Sequence, residues 1–257
     1  MRINGNTIFV PGATSGIGLA LAVRLHEAGN QVIIGGRRTE LLQEIAAQHP
    51  GIDTVRIDTT DAASIAAVSA DIIARHPDLN VLVAMAGIMR PEDWTTPGSF
   101  LESAEATVTT NLLGPIRLIS AFIEHLLDQP DATIMTVSSG LAFAPLSITP
   151  TYNATKAAIH QLSESLRLQF ARSGVRVVEL VPPSVQTELM PGHQDEPTAM
   201  PLDEYIDETM TLLEAQPDAT EIQVERVKFL RYGEARGDQA QVIAALNGLE
   251  AAEQTAA

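Results

Sequence analysis

The sequence predicts an α/β protein, a doubly wound parallel sheet with helices on both faces, in a single domain. Three observations predict it. Short β-branched, apolar runs alternate with helical patterns through the first two-thirds of the chain. Those runs are apolar on both sides, as strands must be when helices cover both faces of a sheet. The first run leads through a glycine-rich loop into a helix.

Thr7–Val10 reads as the first strand, 12–18 as the loop, and Leu19–Ala28 as a helix ended by Gly29. Gln31–Ile34 is a strand; Thr39–Gln48 is a helix that Thr39 would cap. Thr54–Ile57 is a strand, and Asp61 would cap a helix running to Ala74. Asn80–Ala84 is a strand. A long helical pattern covers 102–127, followed by a strand at Ala132–Val137. Thr151–Ser173 reads as a helix, and Val175–Leu180 as a strand closed by Pro182 and Pro183. The segment 186–201 is rich in proline, glycine and polar residues and long for a connection, which favours a functional lid, taken as about 186–215. Helical patterns follow at 202–215, 221–231 and 238–249. No glycine-bounded final strand is evident, and the tail 251–257 is expected to fray.

Composition narrows the function. The 257 residues carry a formal net charge of −16, which argues against nucleic acid or an anionic membrane as partner. There is no cysteine, so disulfides, thiolate chemistry and cysteine-ligated zinc are excluded, and no metal site is expected. The N-terminal residues lack the pattern of a signal peptide, and no apolar run approaches the ~18–20 residues of a spanning helix. A cytoplasmic location is the expectation.

The loop Gly12-Ala13-Thr14-Ser15-Gly16-Ile17-Gly18 lies between a strand and a helix. Glycines there permit a tight turn and close approach to a pyrophosphate, and the helix N-terminus supplies amides and a positive dipole. The sheet is therefore expected to be a Rossmann-type dinucleotide-binding one. Farther on, Tyr152 and Lys156 stand four apart, and Ser139 thirteen residues before the tyrosine. Of sixteen basic residues only Lys156 and Lys228 are lysines. A chain that otherwise uses arginine has placed a compact, rotatable ammonium one helical turn from a phenol.

The glycine spacing together with Asn111, Ser139, Tyr152 and Lys156 resembles the short-chain dehydrogenase/reductase family over about residues 5–190. The C-terminal part, with Glu225-Arg226-Val227-Lys228-Phe229-Leu230-Arg231, resembles a bacterial subgroup labelled after teichoic-acid D-alanylation. The resemblance implies that Tyr152 is the general acid or base, that Lys156 lowers the phenol's pKa and holds the nicotinamide ribose, and that Ser139 orients the substrate oxygen. Asn111 would bend its helix around a water that relays protons to Lys156. An unperturbed phenol, with pKa about 10, is a poor base at neutral pH, and a nearby ammonium would lower it.

For the cofactor the resemblance implies contacts from Gly12, Thr14, Ser15, Gly16, Ile17, Gly18, Ala86, Gly87, Val185 and Thr187, besides Tyr152 and Lys156. Asp58, just after the third strand, matches the family's adenine-binding aspartate; by itself it reads equally as a turn residue. NAD-preferring members hold the ribose 2′-hydroxyl with an acid whose place falls here at Gly36. Arg37 and Arg38 follow it, which favours NADP(H) over NAD(H).

Some positions depart from the pattern. Pro11 stands for the usual threonine, Ala84-Met85 for Asn-Asn, and Pro183 for glycine. A polar tie between the first two segments is expected to be replaced by apolar packing on both sides, with cofactor binding retained. Met89, Leu141, Phe143, Leu146, Leu189 and Met190 are candidate pocket residues, suggesting a small apolar ketone, aldehyde or alcohol as substrate. His193, Asp195 and Glu196 would lie in the lid. The alternative is a non-catalytic NADP(H)-binding regulator or redox sensor on the same fold; a sugar-nucleotide epimerase is a weaker third. A homodimer through the two long helices is expected, with a tetramer possible.

Overall fold

The computed structural model describes residues 1–249, so the expected tail lies outside the described residues. Seven strands form one all-parallel sheet in the order β3-β2-β1-β4-β5-β6-β7. They are β1 (Thr7–Pro11), β2 (Gln31–Gly36), β3 (Asp53–Arg56), β4 (Val81–Ala84), β5 (Thr133–Val137), β6 (Arg176–Leu180) and β7 (Glu221–Ile222). The helices between them are α1 (Gly16–Glu27), α2 (Thr39–Gln48), α3 (Ala62–Arg75), α4 (Leu101–Val108), α5 (Gly114–Leu127), α6 (Pro150–Phe170) and α7 (Leu202–Ala215). Short helices α8 (Lys228–Arg231), α9 (Gly233–Arg236) and α10 (Gln239–Asn247) close the described chain.

Strand residues divide alternately between two cores, as a period of two requires. Ile8, Val10, Val32, Ile34, Val81 and Val83 pack with Leu21, Leu25, Tyr205 and Ile206 on one face. Phe9, Ile33, Leu82 and Ile134 pack with Ile65, Ile72, Leu118, Phe122 and Leu126 on the other. This double burial is why the strands read as continuous apolar runs. The order reverses between β1 and β4, which opens a crevice at the carboxyl ends of the central strands.

Four expectations are corrected. Residues 221–231 do not form one helix: Glu221 and Ile222 pair with Glu179 and Leu180 as a seventh strand, followed by a 3-10 turn and α8. The open edge of β6 takes up ladder bonds that a local helix would have withheld. Thr39 does not cap α2; it is the first helical residue, and Arg38 holds the cap position without a side-chain bond to the helix. Asp61 does cap α3, accepting from Ala63 N at 2.9 Å. The expected lid segment 186–215 is not irregular through its second half. Val185 bridges to Met200, and α7 from Leu202 onward is a packed helix that buries Tyr205 and Ile206. Finally, Leu101–Leu127 is one continuous helix, long and apolar enough by length and composition to cross a membrane. Here its stripe of Leu118, Phe122 and Leu126 lies on the sheet.

Candidate active site

A cleft of about 970 Å³ opens at the carboxyl ends of β1, β4, β5 and β6. Gly12, Thr14, Ser15, Gly16, Ile17, Gly18, Arg37, Arg38, Asp58, Ala86, Gly87, Ser139, Tyr152, Lys156, Val185 and Thr187 all line it. Residues from seven separate stretches of sequence thus share one cavity.

One end is built from backbone. Gly12 holds φ +87°, a conformation disfavoured for side chains, and a Cβ there would sit 2.7 Å from the backbone of Ala86. Gly16 holds φ +55°, and a Cβ there would meet Thr187 at 3.4 Å. A Cβ on Gly18 would press on Ala13 and Met85, at 2.9 and 3.1 Å. The expected apolar replacement is visible here: Pro11 ends β1 buried against Gly35, and the Met85 side chain packs toward the glycine loop. The surface left is a shallow cradle ahead of the α1 N-terminus, shaped for a group that approaches the main chain closely.

Beside the cradle, a Cβ on Gly36 would collide with the methyl of Thr14. Any side chain at this position requires the Thr14 side chain to move. Arg38 Nη2 donates to Thr14 Oγ1 at 3.0 Å, which ties one guanidinium to the loop, and both Arg37 and Arg38 are exposed. Asp58 uses Oδ1 for an Asx turn, accepting from the amide and hydroxyl of Thr60 at 2.9 and 2.7 Å. The Thr60 bonds hold its carboxyl below the usual range, with Arg37 and Arg56 adding to the effect against burial.

The other end is built from buried side chains. Ser139 follows β5 and starts a 3-10 turn, its Oγ accepting from Leu141 N at 3.1 Å, which leaves its own proton to donate. Tyr152 and Lys156 come from the first two turns of α6 and are 6% and 5% exposed. Lys156 Nζ donates to Val137 O at 2.7 Å and sits 5.5 Å from the centroid of the Tyr152 ring. The expected fall in the phenol's pKa is not what this arrangement produces. Burial pushes Tyr152 up to about 12, opposed by the Ser139 hydroxyl. Burial also pushes Lys156 down to about 8, opposed by Glu179. Desolvation is the largest cause for both groups.

Asn111 does not line the cleft. It sits 1% exposed inside a π turn, Thr109–Leu113, between α4 and α5. Its Oδ1 accepts from Ile88 N at 2.8 Å and its Nδ2 donates to Ile88 O at 2.9 Å, tying the helix to the segment after β4. Thr155 Oγ1 lies 3.4 Å from the same amide nitrogen. Met89, Leu141, Leu146, Leu189, Met190 and His193 line the cleft; Phe143, Asp195 and Glu196 do not. Phe143 packs instead on His160 and Arg231, at 4.7 and 4.2 Å.

Two contributions escape sequence reasoning. Leu230 and Leu246 close the cleft from the C-terminal helices. Glu92, in the loop after β4, receives Thr151 N and Oγ1 at 3.2 and 2.7 Å, and so caps the helix that carries Tyr152. Neither has a local pattern; only their distance along the chain from the known site residues could have been noted.

The fold and the cleft define a nucleotide-binding α/β enzyme with a titratable pair at its floor, and the comparisons place it further. Residues 6–197 match the short chain dehydrogenase family. An uncharacterized oxidoreductase, DltE, of Bacillus subtilis (strain 168) is 41% identical over 197 residues, 76% of this chain and 77% of the relative. An NADPH-dependent 1-acyldihydroxyacetone phosphate reductase of Schizosaccharomyces pombe is 31% identical over 68% of this chain and 57% of that one. A crystal structure of a short chain dehydrogenase from Burkholderia cenocepacia J2315 in complex with NADP superposes with a TM-score of 0.81 at 27% identity, covering 96% and 99% of the two chains. The chain belongs to the short chain dehydrogenase family. It is an oxidoreductase that interconverts carbonyl and alcohol groups with a nicotinamide cofactor.

Proposed function

We propose that the protein is an NADP(H)-dependent reductase of an apolar ketone or aldehyde, working through Ser139, Tyr152 and Lys156, with Asn111 holding the site's wall. The observation that carries this reading is the meeting of those three side chains, all buried, in the same cleft as the glycine cradle. The cradle suits a pyrophosphate because Gly12, Gly16 and Gly18 line it without side chains ahead of the α1 N-terminus, and Arg38 with Arg37 offers positive charge where a 2′-phosphate would lie. The NADP-bound relative and the NADPH-dependent one support the same choice. When bound, the cofactor supplies the hydride.

The chain's own part is proton transfer and orientation. Ser139 donates to the carbonyl oxygen, polarising it. Tyr152, kept protonated by burial, gives its proton to the same oxygen as charge develops there. In the reductive direction the phenol begins as an acid, the form in which burial holds it. Lys156, in its charged form, holds the ribose and stabilises the phenolate left behind. Met89, Leu141, Leu146, Leu230 and Leu246 exclude water around the substrate. Exposed Leu113, Ile116 and Leu168 on the long helices support a homodimer, and the expected compartment remains the cytoplasm.

The test is a carbonyl panel with NADPH, run beside Tyr152→Phe, with calorimetric titration of NADPH and NADH. Tighter NADPH binding and turnover abolished by the substitution support the reading. Tight nucleotide binding with no turnover on any carbonyl would favour a non-catalytic regulator instead.

A further inference from the structure

Lys156, His160, Ser163 and Arg167 lie along one stripe of α6, at the i, i+4, i+7, i+11 spacing of a single helix face. Opposite this stripe, on β6, Glu179 is 0% exposed. A carboxylate removed from water is costly unless its oxygens are met. His160 Nδ1 lies 3.0 Å from both of them, and Arg167 Nη2 donates at 3.3 Å. Because a carboxylate only accepts, Nδ1 carries the proton. On β7, Glu221 takes Arg231 through two bonds of 3.0 Å, and Arg231 stacks on Phe143, whose edge meets His160.

The donor atoms of His160, Glu179 and Glu221 lie within 4.8 Å of one another, a spacing a metal would accept. Both carboxylates, however, already hold guanidiniums, so an added cation would meet two like charges. Arg167 and Arg231 each have a carboxylate partner. Lys156, on the same stripe and almost fully buried, donates only to a neutral carbonyl, Val137 O.

We propose that Glu179, oriented by His160, is the buried counter-charge that keeps Lys156 in its charged, donating form. Glu179 is a positioning residue, acting through Lys156. The charged and titratable groups around the pair are His160, Arg167 and Tyr152 from α6, Glu221 from β7 and Arg231 from α8; Glu164 pairs with Arg167 from outside, and β5 offers only Thr136 and the Val137 carbonyl. Arg167 and Arg231 offset part of the negative field, so the cluster sets its strength. The sign of the effect agrees with geometry: Glu179 is the group that opposes the lowering of Lys156 by burial. The proposal rests on the reductase reading only for what Lys156 is used for.

The protein has two lysines, Lys156 and Lys228. Lysine labelled with ¹³C at Cε therefore gives two resonances, assigned with Lys228→Arg and titrated against pH in the full chain. The Lys156 midpoint is expected near 8 and to fall by about one pH unit in Glu179→Gln, while Lys228, exposed and paired with Glu225, stays in place. An unmoved Lys156 midpoint overturns the proposal. Should Glu179→Gln fail to fold, Arg167→Gln carries the test in the opposite sense. Removing that guanidinium strengthens the field, so the midpoint rises; no rise overturns the proposal. The pH profile of kcat/KM separates this from the functional reading. A lysine midpoint that moves without the basic limb of the rate leaves the counter-charge standing and removes Lys156 from the reductase mechanism.

Discussion

The two ends of the cleft are made of different material. The glycine end is shaped by main-chain conformation and by atoms that are missing: Gly12 and Gly18 leave no space for a side chain, and Gly12 and Gly16 hold positive φ. The β5–α6 end is made of side chains taken out of water, with Ser139, Tyr152 and Lys156 all under a tenth exposed. The first is damaged by adding atoms, the second by changing a proton or a charge. A substitution's effect should therefore divide between binding and chemistry according to the end it strikes.

The largest effect is expected from Tyr152→Phe, which keeps the ring and its packing and removes the transferable proton. A fall of about 10²–10⁴-fold in kcat with nucleotide affinity unchanged is the expected outcome, read by steady-state kinetics and calorimetry. Comparable losses in both quantities would mean the two ends are not separable. Gly12→Ala strikes the other end. Strain from φ +87° and the approach to Ala86 predict a loss of about 10–100-fold in NADPH affinity, with the Tyr152 environment intact by near-ultraviolet absorbance titration. Arg38→Ala sharpens the cofactor question. It removes one charge-assisted contact, so NADPH affinity should drop about tenfold while NADH affinity holds; equal losses for both would assign Arg38 to bracing Thr14.

The smallest effect is one of pH. Lys156 has its pKa lowered to about 8, so its charge is lost as pH rises through that value. Tyr152, raised to about 12, remains protonated far above it. The basic limb of the reductive rate should therefore fall near pH 8 and report the lysine. A limb near 10 or higher would show that burial is weaker at this floor than the geometry indicates.

How much of this was legible in the sequence also divides along the cleft. The glycine loop and the Tyr152–Lys156 spacing are local patterns, and the structure places both in one cavity. The strands were legible because double burial leaves an unbroken apolar run, as in Ile8–Val10 and Val81–Val83. What failed depended on distant partners. β7 is two residues long and exists because β6 offers it an edge. Phe143 looked like a pocket residue by position, yet Arg231, far along the chain, draws it to the other side. The direction of the Tyr152 shift was misjudged because spacing reveals the neighbouring ammonium but not the depth of burial.

The π turn around Asn111 has a further consequence. A turn carrying one surplus residue advances every following side chain by about 100° around the helix axis. Before it, α4 packs against α6; after it, α5 packs against α3 and β4. The continuous helix 101–127 is thus two faces spliced out of phase, and the surplus residue is what lets one rod serve both neighbours. Removing a single residue from 109–113 would leave a regular helix with every backbone bond available, yet rotate Leu118, Phe122 and Leu126 off the sheet. At this place in the molecule, reading frame along the helix matters more than the identity of most residues in it.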